Sequence, residues 1–140
     1  IFYVYGPNQR AGSLIPTLIN SYQNKKVPNI RTPFNANDFI YVDDVNEAYL
    51  KIVDTEVPSG IYNLGYGESY SVYDICKIVE EKILGSSSLT EEMLKSADSE
   101  KTMDFWADLS KSKEQLSWTP KITMEQGIQL HIESIAKDKP

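Results

Sequence analysis

The sequence is poor in the residues that mark most reactive centres: 140 residues hold one cysteine and one histidine. A single cysteine excludes an internal disulfide and fits a reducing compartment, so a cytoplasmic location is the expectation. Cys76 falls in an amphipathic stretch and reads as a small buried side chain rather than a reactive thiol. His131 stands in the closing helical pattern with no serine or cysteine motif to serve, and it is expected at the surface or at an interface. No metal-ligand spacing is visible. No apolar run approaches membrane-spanning length, and no signal-peptide pattern is present. Positive charge is also scarce, with 14 Lys and Arg against 20 Asp and Glu. The resulting net charge of -6 argues against nucleic acid or an anionic membrane as a bulk partner, while leaving room for a few placed cations on a small anionic ligand.

What is present suits a single globular domain, since 41% hydrophobic and 24% charged residues are enough to build and solvate one core. Ile1 to Tyr5 is rich in β-formers and stops at Gly6-Pro7-Asn8. Because the chain opens in mid-strand without a methionine, it is expected to be part of something longer. Ser13 can cap a helix carrying Leu14, Ile15, Leu18, Ile19 and Tyr22, which Lys25 to Pro28 end. Short strands are expected at Asn29–Thr32 and Phe39–Val42. The latter stops on Asp43-Asp44, ordinary N-cap chemistry for a helix from Val45 that buries Val45, Ala48, Tyr49 and Ile52. Ile61–Leu64 reads as a further strand. Ser71 with Asp74 makes a capping box for a long helix ended by Gly85. Residues 86–101 read as a loop with at most one helical turn, and Met103–Ala107 as a last short strand. Ser110–Leu116 is a short helix, and Thr123 with Gln126 caps the closing one, whose apolar candidates are Met124, Ile128, Leu130, Ile132 and Ile135.

Two tempting motifs fail on their surroundings. Gly65-Tyr66-Gly67 lies between a strand and a helix, but the third glycine of a dinucleotide fingerprint would stand at position 70, which is Tyr70. Tyr22 with Lys26, and Tyr73 with Lys77, have the spacing that puts a phenol and an ammonium on one helix face. Neither pair has a cofactor fold upstream, and chance explains both in a chain with nine tyrosines.

Five motifs nonetheless occur in a telling order: Phe2-Tyr3-Val4-Tyr5-Gly6-Pro7-Asn8-Gln9, Ser13-Leu14-Ile15-Pro16, Asp38-Phe39-Ile40-Tyr41-Val42-Asp43-Asp44-Val45, Ile61-Tyr62-Asn63-Leu64-Gly65, and Ala107-Asp108-Leu109-Ser110-Lys111 leading to Leu116-Ser117-Trp118-Thr119-Pro120. From Ile1 to about Ile135 the chain resembles the C-terminal half of an extended short-chain dehydrogenase/reductase of the nucleotide-sugar epimerase/dehydratase type. The resemblance implies an α/β fold. Two strands of a Rossmann-like parallel sheet, Ile1–Tyr5 and Ile61–Leu64, would join a small mixed α/β substrate domain. All of 1–140 would then be substrate-binding. The NAD(P) loop and the catalytic Tyr-x-x-x-Lys would lie in the other half, so no catalytic or metal residue is expected here. The resemblance also implies NAD or NADP in the full-length enzyme, a nucleoside-diphosphate sugar as partner, and a homodimer.

By the same resemblance, Ile1 and Phe2 pass close to the cofactor and Tyr3 to the sugar. Ser13 and Leu14 open a helix near the nucleotide, Ile30 and Arg31 run along the base, and Asn37 and Lys101 stand at the diphosphate. Three positions depart from the family pattern: Tyr3 where asparagine is common, Asn37 where arginine is common, and Ala97–Lys101 where only Lys101 is cationic. Arg10, Arg31 and Lys101 are the candidate replacements. Two further readings remain: a non-catalytic binding or assembly module that kept the fold and lost the arginines, and an independent small α/β domain.

Overall fold

Four short strands and six helices lie within the described residues, 1–54 and 56–137, of the computed structural model. In chain order they are β1 (Tyr3–Tyr5), α1 (Leu14–Gln23), β2 (Ala36–Asn37), β3 (Phe39–Tyr41), α2 (Val42–Asp54), β4 (Tyr70–Ser71), α3 (Val72–Leu84), α4 (Ser88–Met93), α5 (Ser110–Leu116) and α6 (Met124–Lys137). A 3₁₀ turn, Leu94–Ser96, extends α4. β1 and β3 pair in parallel, Val4 opposite Ile40, with α1 in the crossover that a parallel pair requires. β2 and β4 pair antiparallel.

β3 divides the core. Successive side chains on a strand point to opposite faces. Phe39 and Tyr41 therefore enter one cluster with Leu18 and Ile19 of α1, Ile75 and Val79 of α3, and Ile128 of α6. Ile40, wholly buried, enters a second cluster with Val45, Ala48, Leu64, Leu116 and Trp118.

The helix ends follow local chemistry. The Ser71 hydroxyl accepts from the Asp74 amide at 3.0 Å while the Asp74 carboxylate accepts from the Ser71 amide, and Gly85 closes α3 at φ 66°. Thr123 and Gln126 make the same reciprocal bonds at the start of α6. Ser13 precedes α1 as expected, but its side chain makes no capping bond. Its backbone amide turns back to the Arg10 carbonyl at 2.9 Å.

Several expected elements differ, each through a partner distant in the chain. β1 starts at Tyr3 rather than Ile1, and Ile61–Leu64 is not a strand. One backbone bond joins that segment to the residue preceding β1, from the Phe2 amide to the Leu64 carbonyl. The Ile61 and Asn63 carbonyls accept instead from the Lys111 ammonium and the Ser112 hydroxyl. Residues 29–32 form no strand, and 103–107 contributes only a bridge between Asp104 and Ala36. α2 begins at Val42 because Asp44 is not its cap. Asp44 is buried, and its carboxylate accepts the amides of Lys121 and Ile122 at 2.9 and 3.0 Å, binding the start of α6. Tyr49 and Ile52 stay exposed beside Leu50 and Val53, so only Val45 and Ala48 of the expected face are buried.

Residues 86–101 are more helical than expected because Glu80, buried on α3, accepts the Leu89 and Thr90 amides at 3.0 and 2.8 Å and so caps α4 from outside. His131 is buried rather than superficial, and Leu130 takes the exposed position beside it. Burial holds the His131 pKa below the usual imidazole value.

Candidate functional site

Of the site residues implied by the resemblance, Tyr3 and Asn37 flank one carboxylate, Asp38. It is fully buried and accepts three backbone amides: Tyr66 at 2.6 Å, Gly67 at 2.8 Å and Ala107 at 3.0 Å. A Cβ at Gly65 would meet both Asp38 Oδ2 and the Ala107 methyl at 2.6 Å, so the loop closes this tightly only around glycine. The amides of Tyr66 and Gly67 are thus spent on an internal anion. That agrees with rejecting the segment as a dinucleotide phosphate loop.

Residues 98–107 form a strap laid along residues 31–38. The Asp98 amide donates to the Arg31 carbonyl at 2.7 Å. Asn35 Oδ1 accepts from the Thr102 amide, the Thr102 hydroxyl and the Met103 amide at 2.8, 3.1 and 3.2 Å. The Ala36 amide returns a bond to the Met103 carbonyl at 2.8 Å. Asp104 then binds Lys101 Nζ and the Ser69 hydroxyl, both at 2.6 Å, and these partners hold its carboxyl below the usual range. Near its end the strap carries Phe105, whose ring lies 6.0 Å from Phe2 and 6.2 Å from Tyr3.

The implied residues are therefore partly gathered. Tyr3 lies beside Asp38, its amide donating to the Asp38 carbonyl at 3.1 Å, and its ring is 5.6 Å from Phe39. Asn37 is next in line, with a buried Oδ1 that has no hydrogen-bond partner among the described residues. Arg31 is exposed at the other end of the strap, and Ile30 packs against the first core cluster. Lys101, one of the candidate replacement cations, is already ion-paired to Asp104. Ile1, Phe2, Tyr3 and Phe105 line a concavity of about 310 Å³. Ser13 and Leu14 stand apart: Leu14 packs on the first cluster, and no hydrogen bond among the described residues links either to Tyr3, Asn37 or Lys101. Asn35 and Phe105 were not singled out from sequence. Nothing in a lone asparagine or phenylalanine signals which distant backbone it will meet.

Both tyrosines of the Tyr/Lys pairs have other hydrogen-bond partners. The Tyr22 phenol is buried, 2.8 Å from the Thr90 hydroxyl, and burial raises its pKa. The Tyr73 phenol donates to Glu91 at 2.6 Å, which raises its pKa, while Lys77 Nζ sits over the Tyr73 ring at 5.6 Å from its centre. Burial pushes the Cys76 thiol up to about 12, consistent with a packing role. Among the described residues no group of three or more His, Cys, Asp or Glu could hold a metal, and no helix is long and apolar enough to cross a membrane.

The family model for GDP-mannose 4,6 dehydratase matches residues 1–131. The chain belongs to this family. As a family member it is 35% identical over 133 residues to a UDP-glucuronate 4-epimerase of Thermodesulfobacterium geofontis, covering 91% of this chain and 39% of the relative. It is 30% identical over 128 residues to a CDP-abequose synthase of Salmonella muenchen, covering 90% and 43%. Among solved structures it is similar to UDP-glucuronic acid 4-epimerase from Bacillus cereus in complex with UDP-glucuronic acid and NAD. That match has a TM-score of 0.78 and 26% identity, covering 97% of this chain and 43% of that one. The likeness to dTDP-glucose 4,6-dehydratase from Bacillus anthracis, at a TM-score of 0.79 and 22% identity, bears on the fold alone. The fold is thus the mixed α/β portion of an extended short-chain dehydrogenase/reductase, and the chain spans about two fifths of the length of these relatives.

Proposed function

We propose that this chain is the substrate-binding portion of an NAD(P)-dependent nucleotide-sugar epimerase, dehydratase or reductase, and that it holds a nucleoside-diphosphate sugar without turnover of its own. The observation that carries the reading is the state of β1. It is paired with β3 on one side, and on the other, among the described residues, only the preceding Phe2 makes a backbone bond, to Leu64. Ile1 and Tyr3 at its start and Ile61 near that second edge are 60%, 50% and 86% exposed. An open edge with apolar residues around it suits a strand that completes a larger parallel sheet.

In this reading Tyr3 borders the sugar, Ser13, Leu14, Ile30 and Arg31 border the nucleotide, and Asn37 and Lys101 border the diphosphate. Arg31, like Arg10, carries an exposed guanidinium, the group best shaped to grip phosphate oxygens in a bidentate way. Lys101 can exchange Asp104 for a phosphate at little cost, because exposed ion pairs contribute only about 0–1 kcal/mol. The Tyr66 and Gly67 amides, taken by Asp38, are not open to a dinucleotide phosphate. The chain's contribution to the cofactor is the apolar edge of Ile1 and Phe2. NAD or NADP, held mainly by other parts of a homodimeric full-length enzyme, would supply the hydride chemistry. The role of these residues is then orientation and exclusion of water.

Titration calorimetry of the full-length protein with UDP-, GDP-, CDP- and dTDP-sugars tests the reading. One nucleotide should bind, and Arg31→Ala should weaken it at least tenfold. A second reading, a non-catalytic module derived from the same fold, draws on the unpartnered Asn37 amide oxygen and the Lys101–Asp104 pair. Binding of none of these ligands would favour it.

A further inference from the structure

Two flanks of α2 are used within the chain. On the first, Val45 and Ala48 are buried in one cluster with Ile40, Leu64 and Trp118. On the second, the Asp44 carboxylate accepts the Lys121 and Ile122 amides, and the Asp44 carbonyl accepts the Trp118 indole N–H at 3.1 Å. Glu47 adds an ion pair to Lys121 at 2.6 Å. A third flank, across the helix from Asp44 and Glu47, holds Asn46, Tyr49, Leu50 and Val53 at the i, i+3, i+4, i+7 spacing of a helix seam. Tyr49, Leu50 and Val53 are 52%, 64% and 81% exposed, and the seam carries no charged residue.

A helix that is apolar on a second flank belongs to a surface covered on more than one side. The place of α2 in the fold says what covers it. α2 follows β3 directly and packs on β1 and β3, on the face that shows Val4 and Ile40. Parallel sheets carry helices on both faces, packed side by side with axes about 8–10 Å apart. Where such a sheet continues beyond a parallel pair, the next helix on the same face lies along the flank of the helix already there. The relatives have the length for it: the chain covers 39% and 43% of two of them, so more than half of each lies outside the match.

Resting on the reading that this chain is one portion of a larger NAD(P)-dependent enzyme, we propose that the seam of Asn46, Tyr49, Leu50 and Val53 docks an amphipathic helix of the cofactor-binding portion of the same polypeptide. The docked helix meets it with apolar residues at the matching spacing, and burial of the three apolar side chains supplies the attraction. Because β3 passes into α2 without a loop, this contact joins the cofactor-binding portion to the strand beside Asn37 and Asp38.

The test uses the full-length protein. Leu50→Cys, Val53→Cys and, at an exposed position of α4, Glu92→Cys are each treated with a maleimide, and the adducts are located by peptide mass spectrometry. Buried Cys76, left unreacted, reports that a variant is folded. Labelling at positions 50 and 53 should be about a hundredfold or more slower than in urea, while labelling at position 92 stays within about tenfold of its rate in urea. A photo-crosslinker, p-benzoylphenylalanine in place of Tyr49, identifies the occupant without a cysteine variant. The expected crosslink runs within one polypeptide, from position 49 to a segment of the cofactor-binding portion. Fast labelling at 50 and 53 with Cys76 unreacted overturns the proposal, and so does a crosslink that joins two copies or stays within the 140 residues. In either case, cofactor and nucleotide sugar still bound by the same preparation leave the general reading standing. Failure to bind both overturns the reading and the proposal together.

Discussion

Replacing Asp38 by asparagine should be the most destabilising single-atom change in the region of the site. The carboxylate accepts three backbone amides, Oδ1 from Tyr66 and Oδ2 from Gly67 and Ala107, in a fully buried position. Asparagine keeps one oxygen and turns an amino group toward the remaining donors. If the oxygen stays on Gly67 and Ala107, the new NH₂ faces the Tyr66 amide, donor against donor, across a former 2.6 Å bond. Hydrogen bonds to charged groups contribute about 1.5–3 kcal/mol each, and one is lost outright while two lose their charge. Relief of carboxylate desolvation offsets part of this, leaving a loss of about 2–4 kcal/mol, a large share of a typical domain's stability. Urea unfolding followed by fluorescence of the buried Trp118 should show the midpoint fall by roughly 1–2 M with an unchanged slope. A loss below about 0.5 kcal/mol would refute the view that Asp38 ties the 65–67 loop and the strap together.

Three further outcomes follow from the same contacts. Asn35→Ala should speed hydrogen exchange at the Thr102 and Met103 amides, at a stability cost of about 1–2 kcal/mol. Asn35→Asp, which keeps an acceptor, should not speed that exchange. Stability should fall with acid in two steps, read by thermal unfolding across pH. His131, buried with its pKa lowered by desolvation, takes up a proton more readily when unfolded, so its step begins as pH falls below about 6.5 and is absent in His131→Gln. Glu80 is held below the carboxylate range because the Leu89 and Thr90 amides and the Ser86 hydroxyl outweigh its burial. Its contribution is complete above about 4.3 and is lost as pH falls through its lower folded value. Finally, Cys76 should resist thiol reagents at neutral pH until the protein unfolds, since its thiol is buried and its pKa is raised to about 12.

The sequence was most legible where structure is local. The capping boxes at Ser71–Asp74 and Thr123–Gln126, the left-handed Gly85 and the short helix Ser110–Leu116 all depend on residues a few positions apart. Strands were least legible, because a strand exists only through its partner. Ile61–Leu64 has the right composition, but side chains from α5 occupy two of its carbonyls. The helix at Ser88 was hidden for the opposite reason, since its cap is Glu80 from the preceding helix. Burial of His131 depends on packing that its own segment does not encode. The landmark Asp38–Val45 was readable as a motif, yet its chemistry was not. Asp38 and Asp44 hold segments far along the chain, and neither bonding pattern is visible from neighbours in sequence. The site was half legible for the same reason: Tyr3 and Asn37 follow from position, whereas Asn35 and Phe105 matter only through the strap.

The central claim is a division of labour, in which this chain holds a nucleotide sugar and the reacting groups lie outside it. The most direct measurement supplies residues 1–140 alone with NAD, NADP and each of UDP-, GDP-, CDP- and dTDP-glucose, and follows cofactor absorbance and sugar products by chromatography. The account predicts no turnover under conditions in which the full-length enzyme converts its substrate. Oxidation, epimerisation or dehydration of any of these sugars by the 140 residues would contradict it.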